Sequence, residues 1–179
     1  MGMDKVGLRK SVRSKLSTLT VREKQRQALL VMEAVKEHPA IVGAEVIAAF
    51  SPLPDELQIW DLVEELSQSK VIALPRIEAD GVMQFYRYCK ESLASGSYGI
   101  MEPSATTLVT PGEIDAMIVP GVVFTVSGAR MGRGKGYYDK YMSQTTFRAF
   151  KLGVCYEEQL VDELPMEPHD VVMDVVVHA

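Results

Sequence analysis

The first residues of the chain carry an amphipathic pattern with two adjacent rows. Three cations recur at every fourth position: Lys5, Arg9 and Arg13. An apolar row runs beside them with the same spacing: Leu8, Val12 and Leu16. Residues four apart lie above one another on a helix, so this pattern predicts a helix that packs by one edge and presents positive charge along the next.

Two more helices are predicted further along the chain. Thr20 followed by Glu23 has the spacing of a capping box, and the helix that it starts extends to about Lys36, before Pro39. Residues 57–69 place four apolar side chains on one helical face: Ile59, Leu62, Val63 and Leu66. That spacing predicts a helix with one buried side.

Short apolar runs separate and follow these helices. They cover residues 45–50, 70–75, 83–88, 116–119, 151–155 and 171–177. Runs of this length and composition are typical of buried strands. Strands that alternate with helices predict a largely parallel sheet covered on both faces, so we expect one α/β domain over residues 1–179.

Composition and length narrow the class of protein. The chain has 179 residues, of which 47% are hydrophobic and 24% charged, as in ordinary globular domains. The longest apolar run, residues 116–124, is interrupted by Pro120 and is far short of the roughly 20 residues that span a bilayer. Cys89 and Cys155 form no CxxC motif, and the charged first residues lack an export signal. We expect a cytoplasmic protein with no membrane partner.

Charge is distributed unevenly along the chain. The net charge is -5, yet residues 1–27 hold eight Lys or Arg against two acids, and the remainder of the chain is acidic. Such a basic segment is either a solvated helix face or an anion-binding segment. The acidic remainder would repel a phosphate backbone, so we expect no nucleic-acid partner.

Residues 128–140, with the sequence GARMGRGKGYYDK, carry the strongest chemical signal. Glycines and cations alternate here: Gly132, Gly134 and Gly136 with Arg130, Arg133 and Lys135. Backbone amides at a helix start, together with Arg and Lys, suit a polyphosphate. The spacing matches neither the Walker loop nor the GxGxxG fingerprint. From the residues alone, phosphate binding and a flexible surface turn both stay open.

The string RMGRGKGYYDKY, residues 130–141, resembles the signature of the 5-formyltetrahydrofolate cyclo-ligase family. Other segments are similar to the family in the same order along the chain. They are the basic first helix, the Asp55-Glu56 pair, ALPR, YGIMEP, MIVPG and the tail LPMEPHDVVMDVVV. The resemblance covers nearly the whole chain. It implies a three-layer α/β/α, Rossmann-like domain with a mainly parallel sheet.

The resemblance also implies an activity. Family members use ATP and magnesium to convert 5-formyltetrahydrofolate to 5,10-methenyltetrahydrofolate, with release of ADP and phosphate. The formyl oxygen accepts the γ-phosphoryl group, which makes it a leaving group when N10 closes the ring. Such a transfer needs positioning and positive charge more than covalent help from the protein. The expected partners are therefore two small molecules, folate and ATP, on a protein that we expect to be a monomer.

The resemblance assigns the site residues as follows. The expected catalytic residues are Lys135 and Arg133. The expected ATP contacts are Lys5, Arg9, Arg130, Met131, Gly132, Arg133, Gly134, Lys135, Gly136, Tyr137 and Tyr138. The expected folate contacts are Ser51, Glu56, Tyr98, Arg133, Gly134, Lys135, Gly136 and Tyr137. The expected magnesium ligands are Asp139 and Asp170. We interpret His169 as an exposed or structural residue, since the reaction needs no general base.

Three alternatives remain at this point. Glu56 could simply be a first-turn acid that favours the dipole of the following helix. The chain could be a paralogue that applies the same phosphoryl-transfer residues to another substrate. It could also be a nucleotide- or nucleic-acid-binding module built on the same loop. Consumption of ATP with a folate distinguishes the enzyme from the module.

Overall fold

The computed structural model describes residues 4–96, 99, 101–104 and 107–179. In these residues the α-helices are α1 (Lys5–Thr18), α2 (Val21–Glu37), α3 (Pro39–Val42), α4 (Trp60–Ser67) and α5 (Tyr137–Met142). The strands are β1 (Val46–Ala48), β2 (Val71–Ile77), β3 (Met83–Arg87), β4 (Leu93–Ser95), β5 (Met101–Pro103), β6 (Leu108–Val109), β7 (Ala116–Val119), β8 (Val123–Phe124), β9 (Arg130–Met131), β10 (Phe150–Val154) and β11 (Val175–Val177). No helix of the described residues is long and apolar enough to cross a membrane.

The first two helices begin at side-chain caps. The Asp4 carboxylate accepts a hydrogen bond from the Gly7 amide at the start of α1, and the Thr20 hydroxyl accepts one from the Glu23 amide at the start of α2. The Glu23 carboxylate accepts from the Arg26 guanidinium. The predicted positions of both helices are therefore confirmed.

Helix α4 starts at Trp60, later than the predicted residue 57. The Gln58 side-chain amide donates to the carbonyl oxygens of Leu53 and Glu56, and the Glu56 amide donates to the Leu53 carbonyl. These bonds hold the chain in a turn, because they satisfy backbone groups outside a helix. The turn places Glu56 in the connection between β1 and α4, eight residues beyond Ala48 at the end of β1.

Seven strands form one sheet in the order β11-β10-β7-β1-β2-β3-β6. The neighbours from β11 to β2 are parallel, whereas β2 pairs with β3 and β3 with β6 in antiparallel register. The mainly parallel sheet predicted from the sequence is confirmed. Strand β1 lies between β2 and β7. From β1 the chain adds β2 and β3 on one side of the sheet, and it later adds β7, β10 and β11 on the other side.

Side chains of the central strands alternate between two cores. On β7, Ile118 belongs to the core beneath α1, α2 and α4, and Met117 and Val119 belong to the core beneath α5. The same division places Val12 of α1 in the first core and Tyr141 of α5 in the second. Helices therefore cover both faces, which confirms the three-layer α/β/α architecture.

The predicted strand 171–177 is wrong in its first half, because only Val175–Val177 pair with β10. The preceding residues bond elsewhere: the Met173 amide donates to the Gly128 carbonyl at 2.8 Å. Gly128 has a φ of 101°, and a Cβ there would lie 2.4 Å from the Met173 carbonyl oxygen. Only glycine permits this contact, which fixes the tail against the β8–β9 hairpin.

Candidate functional site

A cavity of about 720 Å³ lies beyond the carboxyl ends of the central strands. It opens beside β1 and β7, where the strand order reverses, which is the usual ligand position in open α/β sheets. Residues that follow strands supply part of its wall: Phe50, Ser51, Leu53, Glu56, Pro120 and Gly121. Four other segments supply another part. Helix α1 gives Lys5 and Arg9, and β9 with the glycine-rich loop gives Arg130, Met131, Gly132, Arg133, Gly134, Lys135 and Gly136. The start of α5 gives Tyr137, Tyr138 and Asp139, and the tail gives Pro165, Glu167, His169 and Asp170.

The cavity brings the predicted residues together from both ends of the sequence. Every site residue expected from the resemblance lines it, apart from Tyr98, which lies outside the described residues. Helix α1 takes part through Lys5 and Arg9, so the cationic edge of this helix faces the cavity at its first two turns. The third cation of that row, Arg13, is exposed.

Arg9 joins α1 to the glycine-rich loop. Its Nε donates to the Gly132 carbonyl oxygen at 2.8 Å, across 123 positions of sequence. Gly134 and Gly136 have φ values of 105° and 71°, which favour glycine, and Gly136 is the N-cap of α5. The loop thus leads from β9, not directly from the large sheet, into α5. In the part of the chain that the structure describes, Lys135 is exposed and makes no hydrogen bond or ion pair.

Arg130 differs from the other cations of the loop because it is buried. Its side chain is 3% exposed, one Nη donates to the Pro120 carbonyl at 2.9 Å, and the other contacts the Asp139 carboxylate at 3.2 Å. Burial lowers the pKa of Arg130, and the Asp139 charge opposes that shift. Its Nε has no partner among the described residues. Arg130 therefore lines the cavity while both of its Nη atoms are bound to protein groups.

Arg133 crosses the mouth of the cavity to the turn after β1. Its Nε and Nη2 both contact Glu56 Oε1 at 3.2 Å, and Nη2 contacts Asp55 Oδ1 at 2.5 Å. Glu56 Oε2 accepts from the Leu53 amide at 2.9 Å. Burial raises the pKa of Glu56 although Arg133 and the amide oppose it. The buried Tyr156 hydroxyl donates to the Glu56 carbonyl at 3.3 Å, a support that the sequence did not indicate.

The tail contributes a cluster of acids beside α1. Lys5 Nζ lies 2.8 Å from a Glu167 oxygen and 3.1 Å from an Asp170 oxygen. Glu167, His169 and Asp170 have ligand atoms within 4.8 Å of one another, and His169 is 72% exposed. His169 is thus exposed, which is one of the two alternatives predicted for it. Glu167 was not predicted, although the EPHD segment around Asp170 could have suggested it.

A hydrogen bond joins the segments that carry the two carboxylates expected to bind magnesium. Asp139 Oδ1 accepts from the amide of Val171, the residue after Asp170, at 3.0 Å, and Asp139 Oδ2 contacts Arg130. Asp170 Oδ2 accepts from Lys5 and from the Glu167 amide. Both carboxylates are thus oriented by protein donors. Each oxygen of Asp139 accepts one bond and retains a lone pair, whereas Asp170 Oδ2 accepts two and leaves Oδ1 as the acceptor for a further partner.

One part of the cavity wall is apolar, although the charged Glu102 also lines the cavity. The apolar part is formed by the side chains of Phe50, Pro75, Ile77, Met83, Tyr137 and Tyr138. Ile77 and Met83 face each other across the antiparallel β2–β3 pair, and neither was predicted to line the site. Burial raises the pKa of the Tyr138 phenol well above its ordinary value, so this hydroxyl stays protonated. The cavity can therefore hold a ligand with one anionic and one apolar part.

These features define an α/β enzyme with its cavity at the switch point of a mainly parallel sheet. A protein-family model for the 5-formyltetrahydrofolate cyclo-ligase family matches residues 2–179. The chain belongs to this family, as the sequence signature predicted.

Individual relatives agree with the family assignment over almost their full lengths. The chain is 27% identical to a mouse 5-formyltetrahydrofolate cyclo-ligase, covering 97% of this chain and 93% of that protein. It is 31% identical to the Mycolicibacterium smegmatis 5-formyltetrahydrofolate cyclo-ligase, and the alignment covers 91% of this chain and 92% of that protein.

Solved structures agree with the fold. The structure of Aquifex aeolicus 5,10-methenyltetrahydrofolate synthetase matches with a TM-score of 0.87 and 34% identity, over 98% of this chain and 89% of that one. The Mycoplasma pneumoniae 5,10-methenyltetrahydrofolate synthetase matches with a TM-score of 0.80 and 27% identity, over 98% of this chain and 99% of that one.

Proposed function

We propose that the protein converts 5-formyltetrahydrofolate to 5,10-methenyltetrahydrofolate with consumption of ATP in the presence of magnesium. The formyl oxygen takes the γ-phosphoryl group, N10 bonds to the formyl carbon and loses its proton, and the oxygen leaves as phosphate beside ADP. The observation that carries this proposal is a single cavity in which the cations matched by the family signature meet Glu56 and an apolar wall.

The polar half of the cavity supports the choice of ATP. Lys5, Arg9, Arg133 and Lys135 line one region, and the loop amides lead into α5. Charge of this kind stabilises a transferred phosphoryl group without covalent participation. Lys135 is the cation without an internal partner in the described residues, so it is the group we assign to the charge that develops during transfer.

The acids of the site fit a magnesium ion chemically. Mg²⁺ prefers oxygen ligands and is usually held by one or two carboxylates together with phosphate oxygens. Asp139 and Asp170 would hold it, and it would neutralise phosphate charge when bound. In the free protein Lys5 neutralises part of the acidic charge of Glu167 and Asp170.

Glu56 and the apolar wall support the assignment of a folate as the substrate. A carboxylate is a suitable partner for the ring donors of a pteridine, and Glu56 is oriented by Leu53 and Arg133. We assign Ser51 and Tyr137 to the same ligand, as the family match implies. Tyr98 remains a predicted contact, and the monomeric state, the cytoplasmic location and the single domain over residues 1–179 also remain predictions.

The reaction is tested by mixing the protein with magnesium, ATP and 5-formyltetrahydrofolate and following the near-ultraviolet absorbance of methenyltetrahydrofolate. We expect growth of the signal only when every component is present. A folded protein that binds ATP and gives no signal would contradict the proposal and favour a different substrate.

A matched pair of lysine variants tests the loop. Lys135→Met should lower kcat about 100-fold, because it removes a charge that stabilises the transition state. Lys140→Met is the control, since Lys140 is also exposed but lies one turn into α5 and does not line the cavity. Circular dichroism melts of both variants should match the wild type. Equal activity of the two variants would refute the role of Lys135.

A further inference from the structure

Asp55 contacts Arg133 without lining the cavity. Its Oδ1 accepts from Arg133 Nη2 at 2.5 Å, and its side chain is 47% exposed. The neighbouring Glu56 does line the cavity and accepts from Nε and Nη2 of the same guanidinium. Two adjacent acids on one turn therefore bind one edge of Arg133.

The opposite edge of Arg133 has no partner among the residues that the structure describes. No described residue accepts a hydrogen bond from its Nη1, although Arg133 lines the cavity. A guanidinium is a planar, rigid group with five donors, so binding one edge also determines the direction of the other. Two carboxylates on the Nε and Nη2 edge resist a rotation that a single one would allow.

The turn that carries the acids is itself well supported. The Glu56 carboxylate accepts from the Leu53 amide, the Glu56 carbonyl accepts from Tyr156, and the Glu56 amide donates to the Leu53 carbonyl. Asp55 is covalently attached to this supported backbone. Burial opposes ionisation of Asp55, but Arg133, and more weakly Arg13 on α1, hold its pKa below the ordinary value. Asp55 thus offers a charged partner at a defined position.

We propose that Asp55 is a positioning residue, which holds the guanidinium of Arg133 so that its Nη1 edge stays available for a ligand oxygen. The inference rests on the proposed function, in which Arg133 acts on the phosphates and the formyl end of the folate. Asp55 touches neither ligand in this scheme and acts through Arg133 alone. Because orientation matters most in the transition state, its loss should appear in kcat and not in KM.

Asp55→Asn is the first test. We expect kcat to fall about tenfold, with the KM values for ATP and 5-formyltetrahydrofolate changed by less than about twofold. Asp55→Glu should recover part of the loss, because it restores the charge. Asp61→Asn, the same change at an exposed acid on α4, should leave kcat unchanged. Wild-type kcat in Asp55→Asn would overturn the proposal while leaving the proposed function intact.

A double variant tests whether Asp55 acts through Arg133. In an Arg133→Lys background the further change Asp55→Asn should have no effect on kcat, because the guanidinium that Asp55 positions is absent. If the kcat losses of Arg133→Lys and Asp55→Asn multiply in the double variant, the proposal is overturned. A merely structural role for Asp55 would give such multiplied losses.

A spectroscopic readout makes the test independent of turnover. The Nε–H signal of Arg133 in nitrogen-15 NMR spectra of the full chain reports the hydrogen bond to Glu56. We expect its hydrogen to exchange with water faster in Asp55→Asn than in the wild type or in Asp61→Asn. Equal exchange rates would overturn the proposal even if the wild type showed no activity toward 5-formyltetrahydrofolate, which would instead contradict the proposed function.

Discussion

The change Asp139→Asn should destabilise the fold whether or not magnesium is present. Asp139 contacts Arg130, whose side chain is 3% exposed and whose Nε already lacks a partner in the described residues. Removing one member of a buried ion pair costs about 3 to 5 kcal/mol, because the other charge is left uncompensated. Asp139 is 14% exposed and the Pro120 carbonyl still binds Arg130, so we expect the lower value, about 3 kcal/mol.

The assay is urea and thermal unfolding followed by circular dichroism, with magnesium and with a chelator. For a chain of this length about 3 kcal/mol corresponds to a fall in Tm of about 6 to 12 °C. Replacing both partners, in Arg130→Met with Asp139→Leu, should recover much of the loss, because no buried charge remains. An unfolding free energy of Asp139→Asn equal to that of the wild type, or a loss seen only with magnesium, would refute the reasoning.

Two further predictions concern the tail. Gly128→Ala should cost about 3 kcal/mol in unfolding free energy, because Gly128 has a φ of 101° and contacts Met173. The control Gly81→Ala, in open space among the described residues, should cost about 1 kcal/mol. Equal urea midpoints for the two variants would contradict this prediction. The Glu167 amide and Lys5 hold the pKa of Asp170 below its ordinary 3.8 although burial opposes them, so this stabilisation is present at neutral pH and lost as the pH falls through that lowered pKa. Asp170→Asn should therefore lower stability by up to about 1 kcal/mol at pH 7, and the difference should shrink as the pH falls below 3.8; a difference that stays constant would contradict the assignment.

The apolar periodicity predicted the parallel part of the fold well. Strand β7 was predicted at residues 116–119 and spans Ala116–Val119, because a strand buried on both faces must be continuously apolar. The β8–β9 hairpin was not predicted, since two-residue strands are too short to show a period. The antiparallel direction of β3 was not predicted either, because a run of apolar residues carries no information on strand direction.

The candidate site shows a different limit of sequence reasoning. Arg130, Arg133 and Lys135 alternate with glycines and look equivalent in the sequence. Arg130 is buried because it belongs to β9, where it pairs with Phe124, whereas the other two follow that strand and lie in the loop. The ion pair between Arg133 and Glu56 joins residues 77 positions apart, so only the tertiary structure reveals it.

The ion pair between Lys5 and Asp170 also has a consequence for biosynthesis. The two residues are 165 positions apart, so at about 5 to 20 residues per second the ribosome adds Asp170 about 8 to 33 s after Lys5. During this interval the basic edge of α1 has no acidic tail to neutralise it. The neutralisation of Lys5 by Glu167 and Asp170 is therefore established only after residue 170 has been added.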